Sequence, residues 1–133
     1  MRLLIDTNIF LEVFLEQDRA GEAQQLLAKT GEHEFLISDF SLHSIGLLLF
    51  RRHQYDAFRR FLTDVFVNVG ADTASLLASE MEAVVHWAQQ FGLDFDDAYQ
   101  YAVAEYYALT IVSFDADFDR TERGRRTPGQ MDA

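Results

Sequence analysis

Acidic residues recur where a fold could put them to use. Asp6 follows the apolar run RLLI, Asp39 ends the run begun by EFLIS, Asp72 stands just beyond VFVNV, and Asp115 follows TIVSF. If those runs are strands, each carboxylate lies at or just past a strand's C-terminal end, the edge at which open parallel sheets bind ligands. A second group, Asp94, Asp96 and Asp97, opens a helical stretch, and SFDADFD (113–119) gathers Asp115, Asp117 and Asp119 in one loop. Mg²⁺ and Mn²⁺ take oxygen ligands and Mg²⁺ keeps several waters, so carboxylates drawn from separate elements are candidate ligands for such an ion.

Each acid also has an ordinary explanation. Asp72-Thr-Ala-Ser reads as the N-cap of a long helix reaching about Gln90 and ended by Gly92, and Asp94 reads as the cap of the next helix. Either Asp39 or Ser41 could cap the helix that contains Leu42, Ile45 and Leu49. Acids in a first helical turn are favoured by the helix dipole, which accounts for one or two of Asp94, Asp96 and Asp97; three within four residues repel one another unless a cation is near. Asp6 is the hardest to dismiss, because a charge directly after a buried strand is costly unless capping or a cation compensates it. The 113–119 loop lacks the Gly and Glu of a calcium-binding EF-hand, and Asp119 reads as solvated.

Other chemistries find little support. The chain has no Cys, and His33, His53 and His86 are isolated in sequence and read as surface or half-buried, while His43 sits close to Asp39. There is no GxSxG, P-loop or GxGxxG, which argues against acyl transfer, nucleotide hydrolysis and dinucleotide chemistry. Tyr99, Tyr101, Tyr106 and Tyr107 read as packing for the last helix, with base stacking as the alternative.

To position the acids, the chain must alternate strands and helices. The four apolar runs read as strands 2–5, 34–38, 65–69 and 110–114. Helices are expected over about 9–15, 20–28, 42–52, 55–63, 72–90 and 98–108. That order calls for a parallel sheet covered on both faces. With 133 residues, 49% of them hydrophobic, one domain spanning 1–133 is expected, its polar stretch from about 120 to 133 loose or forming a minor edge strand. The N-terminus offers no apolar run of signal or membrane length, so a cytoplasmic location without membrane attachment is expected. A net charge of -11 repels polyanions. A nucleic acid would have to be met by a bound metal or by the local clusters Arg51, Arg52, Arg59, Arg60 and Arg120, Arg123, Arg125, Arg126.

Two segments carry a family likeness. LLIDTNIFL near the start and DDAYQYAVAEYYALTIVSFDADF (96–118) resemble the PIN domain, above all the VapC-like toxin ribonucleases of toxin–antitoxin systems. The resemblance implies a three-layer α/β fold with a parallel central sheet and helices on both faces. It implies an Mg²⁺- or Mn²⁺-dependent endoribonuclease in which Asp6, Asp97 and Asp115 bind metal, Asp117 is an auxiliary acid, and Asn8 and Ser113 orient ligands. The family's usual Glu, early in the helix after the second strand, aligns with Ser44 of ISDFSLHSIG; Asp39 or His43 could substitute. A catalytically impaired PIN-like binding or regulatory module is therefore the alternative. A haloacid-type phosphatase would need a second Asp where Asn8 stands. The resemblance also implies an RNA substrate, a small antitoxin partner and a homodimer. Phe10, Val13 and Phe14 would line the antitoxin surface unless they are simply core.

Overall fold

The structure is a computed structural model describing residues 1–132; Ala133, the last residue of the expected domain, lies outside them. Strands β1 (Arg2–Ile5), β2 (Glu34–Ser38), β3 (Asp72–Ala74) and β4 (Thr110–Val112) form one sheet in the order β3-β2-β1-β4. All three pairings are parallel, with Leu4 opposite Leu36 and Ile111, and Ile37 opposite Thr73. β1 is therefore central, and the chain reverses its direction of travel across the sheet between β1 and β4. In parallel sheets that reversal opens a crevice at the strands' C-terminal ends.

Alternation along β1 sends Leu3 and Ile5 to one face and Leu4 to the other. On the first face they meet helices α1 (Thr7–Phe14), α2 (Ala20–Leu27), α3 (Asp39–Arg51) and α4 (Tyr55–Leu62), through residues such as Ile9, Leu26, Ile45 and Phe61. On the second face Leu4, Leu36 and Ile111 meet α5 (Glu82–Phe91) and α6 (Phe95–Tyr107), through Val84, Ala98 and Tyr101. The expected three-layer architecture, with helices on both faces of a parallel sheet, is what forms.

Of the candidate partner surface, Val13 and Phe14 are half-buried and pack against the core cluster. Phe10 is buried, and Phe10 and Phe14 meet Phe61 edge-on at 5.5 and 5.4 Å.

The third strand lies elsewhere than the sequence predicts. VFVNV is no strand: α4 runs on into a π-helical segment, Thr63–Asn68, and the Val69 N–H donates to Asp64 O at 2.9 Å, five residues back. The β-branched run misleads because its burial follows the helix. Phe61 and Val65 enter the core four residues apart, whereas Val67 is 73% exposed. Asp72, expected to cap a helix, instead begins β3, at the sheet edge opposite the acids. The long helix expected there reduces to a 3₁₀ turn, Ala78–Glu80, followed by α5.

Several boundaries match their chemistry. Gly92 ends α5 in the left-handed conformation (φ 66°), and Asp94 caps α6 by accepting from the Asp97 N–H at 3.0 Å. Neither Asp39 nor Ser41 caps α3. Ser38 does, accepting from the Ser41 N–H at 3.0 Å, and the helix begins one residue later at Asp39. Beyond β4 the chain makes a 3₁₀ turn, Ala116–Arg120, and returns so that Arg126 forms a single parallel bridge with Val112, before a last 3₁₀ turn, Pro128–Asp132.

Helical placement of 63–68 makes a prediction that a strand would not share. Val65 and Val67 lie on the same face of any strand but on different sides of this helix. Val65→Ala, at 2% exposure, should cost about 2 kcal/mol. Val67→Ala should stay within about 0.5 kcal/mol of wild type. Urea denaturation followed by circular dichroism measures both, and equal losses would contradict the helix.

Candidate metal centre

At the C-terminal edge of β1 the chain turns directly into α1, and Asp6 is the residue at that corner. Its side chain caps the helix, Oδ1 accepting from the Thr7 N–H at 2.9 Å. With 7% of its surface exposed, Asp6 must find more than one donor, and it does. The Gln100 amide donates to Oδ1 at 2.9 Å, the Ser113 hydroxyl to Oδ2 at 2.7 Å, and the Asn8 amide to Oδ2 at 3.4 Å. The donors come from α1, α6 and the segment after β4, so one carboxylate ties three elements together.

Ser113 and Asn8 form the brace behind it. The Asn8 amide also donates to Ser113 Oγ at 3.1 Å, while Asn8 Oδ1 accepts from the Phe114 N–H at 3.2 Å. Ser113 Oγ accepts in turn from the Asp115 N–H at 2.9 Å, which fixes the start of the acidic loop. Asp115 then caps its own turn by accepting from the Asp117 N–H at 2.8 Å. Asp97, in the first turn of α6, is held by the Asp94 cap.

These elements bring the acids of two distant segments together. Carboxylate oxygens of Asp97, Asp115 and Asp117, one from each, lie within 4.8 Å of one another. Oxygens on opposite sides of an octahedral Mg²⁺ stand about 4.2 Å apart, so small side-chain adjustments suffice to embrace a hard cation. Asp6, Thr7, Asn8, Asp96, Asp97 and Asp115 line one cleft, and Ser44 of α3 lines it too. Donors already occupy Asp6, with Oδ2 the less encumbered oxygen, since its Asn8 bond is the longest.

The charge crowding is visible in protonation. Burial, then the neighbouring charges of Asp115 and Asp94, push the Asp97 carboxyl up from 3.8 to about 8. Burial also raises Asp6, against the lowering effect of its hydrogen bonds from Gln100, Ser113 and Thr7. The metal-free cleft thus holds fewer negative charges than its acids could carry, and a divalent cation would supply what is missing.

The two substitutes considered for Ser44 turn elsewhere. Asp39 Oδ1 accepts from the Phe40 N–H at 2.9 Å and from the Tyr99 hydroxyl at 2.6 Å. Tyr99, raised to about 12 by burial and by this bond, stays a neutral donor. His43 borders an apolar groove between α3 and α4 with Leu47 and Phe50. Position 44 therefore brings a hydroxyl and no acid to the cleft. The C-terminal arginines are largely engaged in holding the fold. Arg123 binds Glu105 at 3.0 Å and Leu109 O at 3.0 Å, and Arg125 binds Asp119 at 3.2 Å and Ser113 O at 3.2 Å. Arg120 stands 3.5 Å from Asp117.

Sequence reasoning missed Gln100 and Ser41. Both are buried, Gln100 at 2% and Ser41 at 0%, and they are joined by a 2.9 Å bond from the Gln100 amide to Ser41 Oγ. One signal was available: an amide side chain in the otherwise apolar AYQYAVA stretch of a helix packed on a sheet.

Residues 3–124 match the PIN domain family model. The chain belongs to the PIN domain family. No curated protein matches it in sequence. Among solved structures, this PIN domain is similar to a toxin–antitoxin complex from Klebsiella pneumoniae, with a TM-score of 0.72 and 23% identity over 95% of this chain and 97% of that one. It is also similar to VapC20 of Mycobacterium tuberculosis, described as a sarcin-ricin loop cleaving toxin, with a TM-score of 0.72 and 22% identity over 88% and 92% of the two chains. A third is VapBC2 of Rickettsia felis bound to a DNA fragment from its promoter, with a TM-score of 0.69 and 18% identity over 95% and 97%. At these identities the likeness establishes a shared fold.

The raised carboxyl of Asp97 sets a pH dependence whose sign is fixed. An unfolded Asp97 ionises near 3.8 and the folded one near 8, so between those values the folded chain holds the extra proton. Stability of the metal-free PIN domain should fall as pH rises through that window, by an amount on the order of 3 kcal/mol, and level off above it. Asp97→Asn should remove most of the slope. Denaturation in EDTA at pH 5, 7 and 9 measures it, and a flat wild-type profile would contradict the crowding.

Proposed function

We propose that this PIN domain is an Mg²⁺- or Mn²⁺-dependent endoribonuclease, acting as the toxin of a toxin–antitoxin pair. The observation that carries the reading is the meeting of Asp97, Asp115 and Asp117 in one oxygen-rich cluster beside the donor-caged Asp6. An all-oxygen set of this kind suits a hard cation and gives no preference to zinc or copper. Bound there, the ion supplies Lewis acidity and a more acidic water for phosphodiester hydrolysis.

The chain's own residues do the positioning. Asp97, Asp115 and Asp117 would hold the ion, which requires Asp97 in its ionised form, and Asp6 would add a carboxylate at the strand end. Ser113 and Asn8 keep Asp6 and the 113–117 loop in register with each other. In a molecule of net charge -11, a cation in the cleft also changes what an RNA phosphate meets there, since the ion's charge is absent from the formal count.

A small antitoxin and a second copy of the chain are the proposed partners. The antitoxin is supported by the fold shared with a structure described as a toxin–antitoxin complex; the second copy rests on the family likeness alone. The proposed setting is the cytoplasm. No helix among the described residues is long and apolar enough to cross a membrane.

Incubation of a mixed RNA pool with the purified protein, in Mn²⁺, in Mg²⁺ and in EDTA, tests the reading. Cleavage is expected with either ion and none with the chelator; cleavage that survives EDTA would overturn it. Asp97→Asn should lower cleavage roughly 100-fold or more. Ser44→Glu, which adds an acid to the cleft, should raise both cleavage and Mn²⁺ affinity. Wild type and Ser44→Glu that both fail to bind Mn²⁺ would identify the domain as a binding or regulatory module.

A further inference from the structure

Gln100 combines two properties that rarely occur together. It is 2% exposed, and its Oε1 is a buried acceptor that receives no hydrogen bond among the described residues. Its other amide atom is, by contrast, doubly engaged, donating to Asp6 Oδ1 and to Ser41 Oγ at 2.9 Å each. Ser41 Oγ is itself held by the hydroxyls of Thr7 at 2.8 Å and Ser38 at 3.2 Å. Rotating the amide by half a turn would set its carbonyl oxygen against the Asp6 carboxylate. The orientation that leaves Oε1 open is therefore the one the surroundings impose.

A helix position flanked by buried Tyr99, Tyr101 and Ala102 could be filled by Leu or Met without burying an unpartnered amide oxygen, at the cost of the donor to Asp6 and Ser41. The position of Gln100 gives the unpartnered carbonyl, which is itself covered from solvent, a use. Gln100 is one of the residues lining the acidic cleft, one turn after Asp97 on the same helix, together with Asp115 and Ser44. An ion held by few carboxylates keeps several waters, and each such water has protons to donate.

We propose that Gln100 is a positioning residue whose Oε1 accepts a hydrogen bond from a water on the divalent ion, supplying in α6 part of what an acid at position 44 would supply from α3. This rests on the metal-dependent reading above. It assigns to the amide two separate tasks: the nitrogen secures Asp6, and the oxygen secures the ion's water.

The two tasks separate in variants of the full chain titrated calorimetrically with MnCl₂ alone. Gln100→Met keeps the length and packing but removes both amide atoms, and should weaken Mn²⁺ binding about 10-fold or more. Gln100→Glu keeps an oxygen acceptor and loses the donor to Asp6; it should bind Mn²⁺ at least as tightly as wild type. If Gln100 serves only to hold Asp6, or its carbonyl meets only an ordinary buried water, Gln100→Glu will be no tighter than Gln100→Met, or Gln100→Met will match wild type, and either result overturns the proposal. Should Gln100→Met not fold, Gln100→Glu decides alone, with weaker binding than wild type as the overturning result. A wild type that binds Mn²⁺ and cleaves RNA while Gln100→Met is unaltered sinks this inference and leaves the nuclease reading intact. A wild type with neither Mn²⁺ heat nor a Mn²⁺-induced rise in Tm sinks both.

Discussion

A carboxylate buried at the end of a central strand must be given donors, and the way Asp6 receives them organises this molecule. Thr7 serves it from the helix that follows, Gln100 from α6 on the opposite face of the sheet, and Ser113 from the segment after β4. Helices on opposite faces have no direct reason to agree in register. The shared anion gives them one, because a shift of α6 by a single residue would take Gln100 away from Asp6 and Asp97 away from Asp115. Breaking such a bond costs more than its net contribution, since the acceptor left behind is buried and charged. The same anchor fixes the loop that carries Asp115 and Asp117, through the Ser113 hydroxyl. Cleft geometry and fold stability are therefore one constraint.

Much of this was legible in the residues. β1, β2 and β4 are short apolar runs, and Asp6, Asp97 and Asp115 sit in motifs that place them after strands or in the first turn of a helix; their convergence follows once the sheet is parallel and β1 is central. The third strand was not legible, because its three residues DTA include an Asp and a Thr at exposed positions while the neighbouring VFVNV has far stronger strand character. Two competing signals were present in 61–69, β-branching and helical spacing of the buried positions, and packing against Phe10 and Phe14 favoured the second. Gln100 and Ser41 escaped for another reason. A buried hydrogen bond joins residues distant in sequence, and nothing in either segment alone announces it.

The distribution of charge gives the acidity of the chain a local meaning. Acids crowd one sheet edge, where burial and mutual repulsion keep a proton on Asp97. Most C-terminal arginines are bonded to Asp119, Glu105 and backbone carbonyls, so they stabilise the return of the chain beside β4. Position 44 offers a hydroxyl where a carboxylate would have deepened the negative potential. A domain can in this way keep a cation-receptive edge while moderating how many unneutralised charges it must fold around.

The return of the chain at Arg126 matters for how the molecule behaves in company. β4 is the outer strand on its side, and an outer strand presents unpaired backbone groups to any other extended chain it meets. Here the Ser113 N–H donates to Arg126 O at 3.0 Å and the Arg126 N–H to Ile111 O at 2.9 Å, so the border beside the acidic loop is occupied from within. The opposite border is β3, three residues long and opened by Asp72, too short and too charged to template a growing sheet. Among the described residues, neither margin presents a long bare edge to another extended chain.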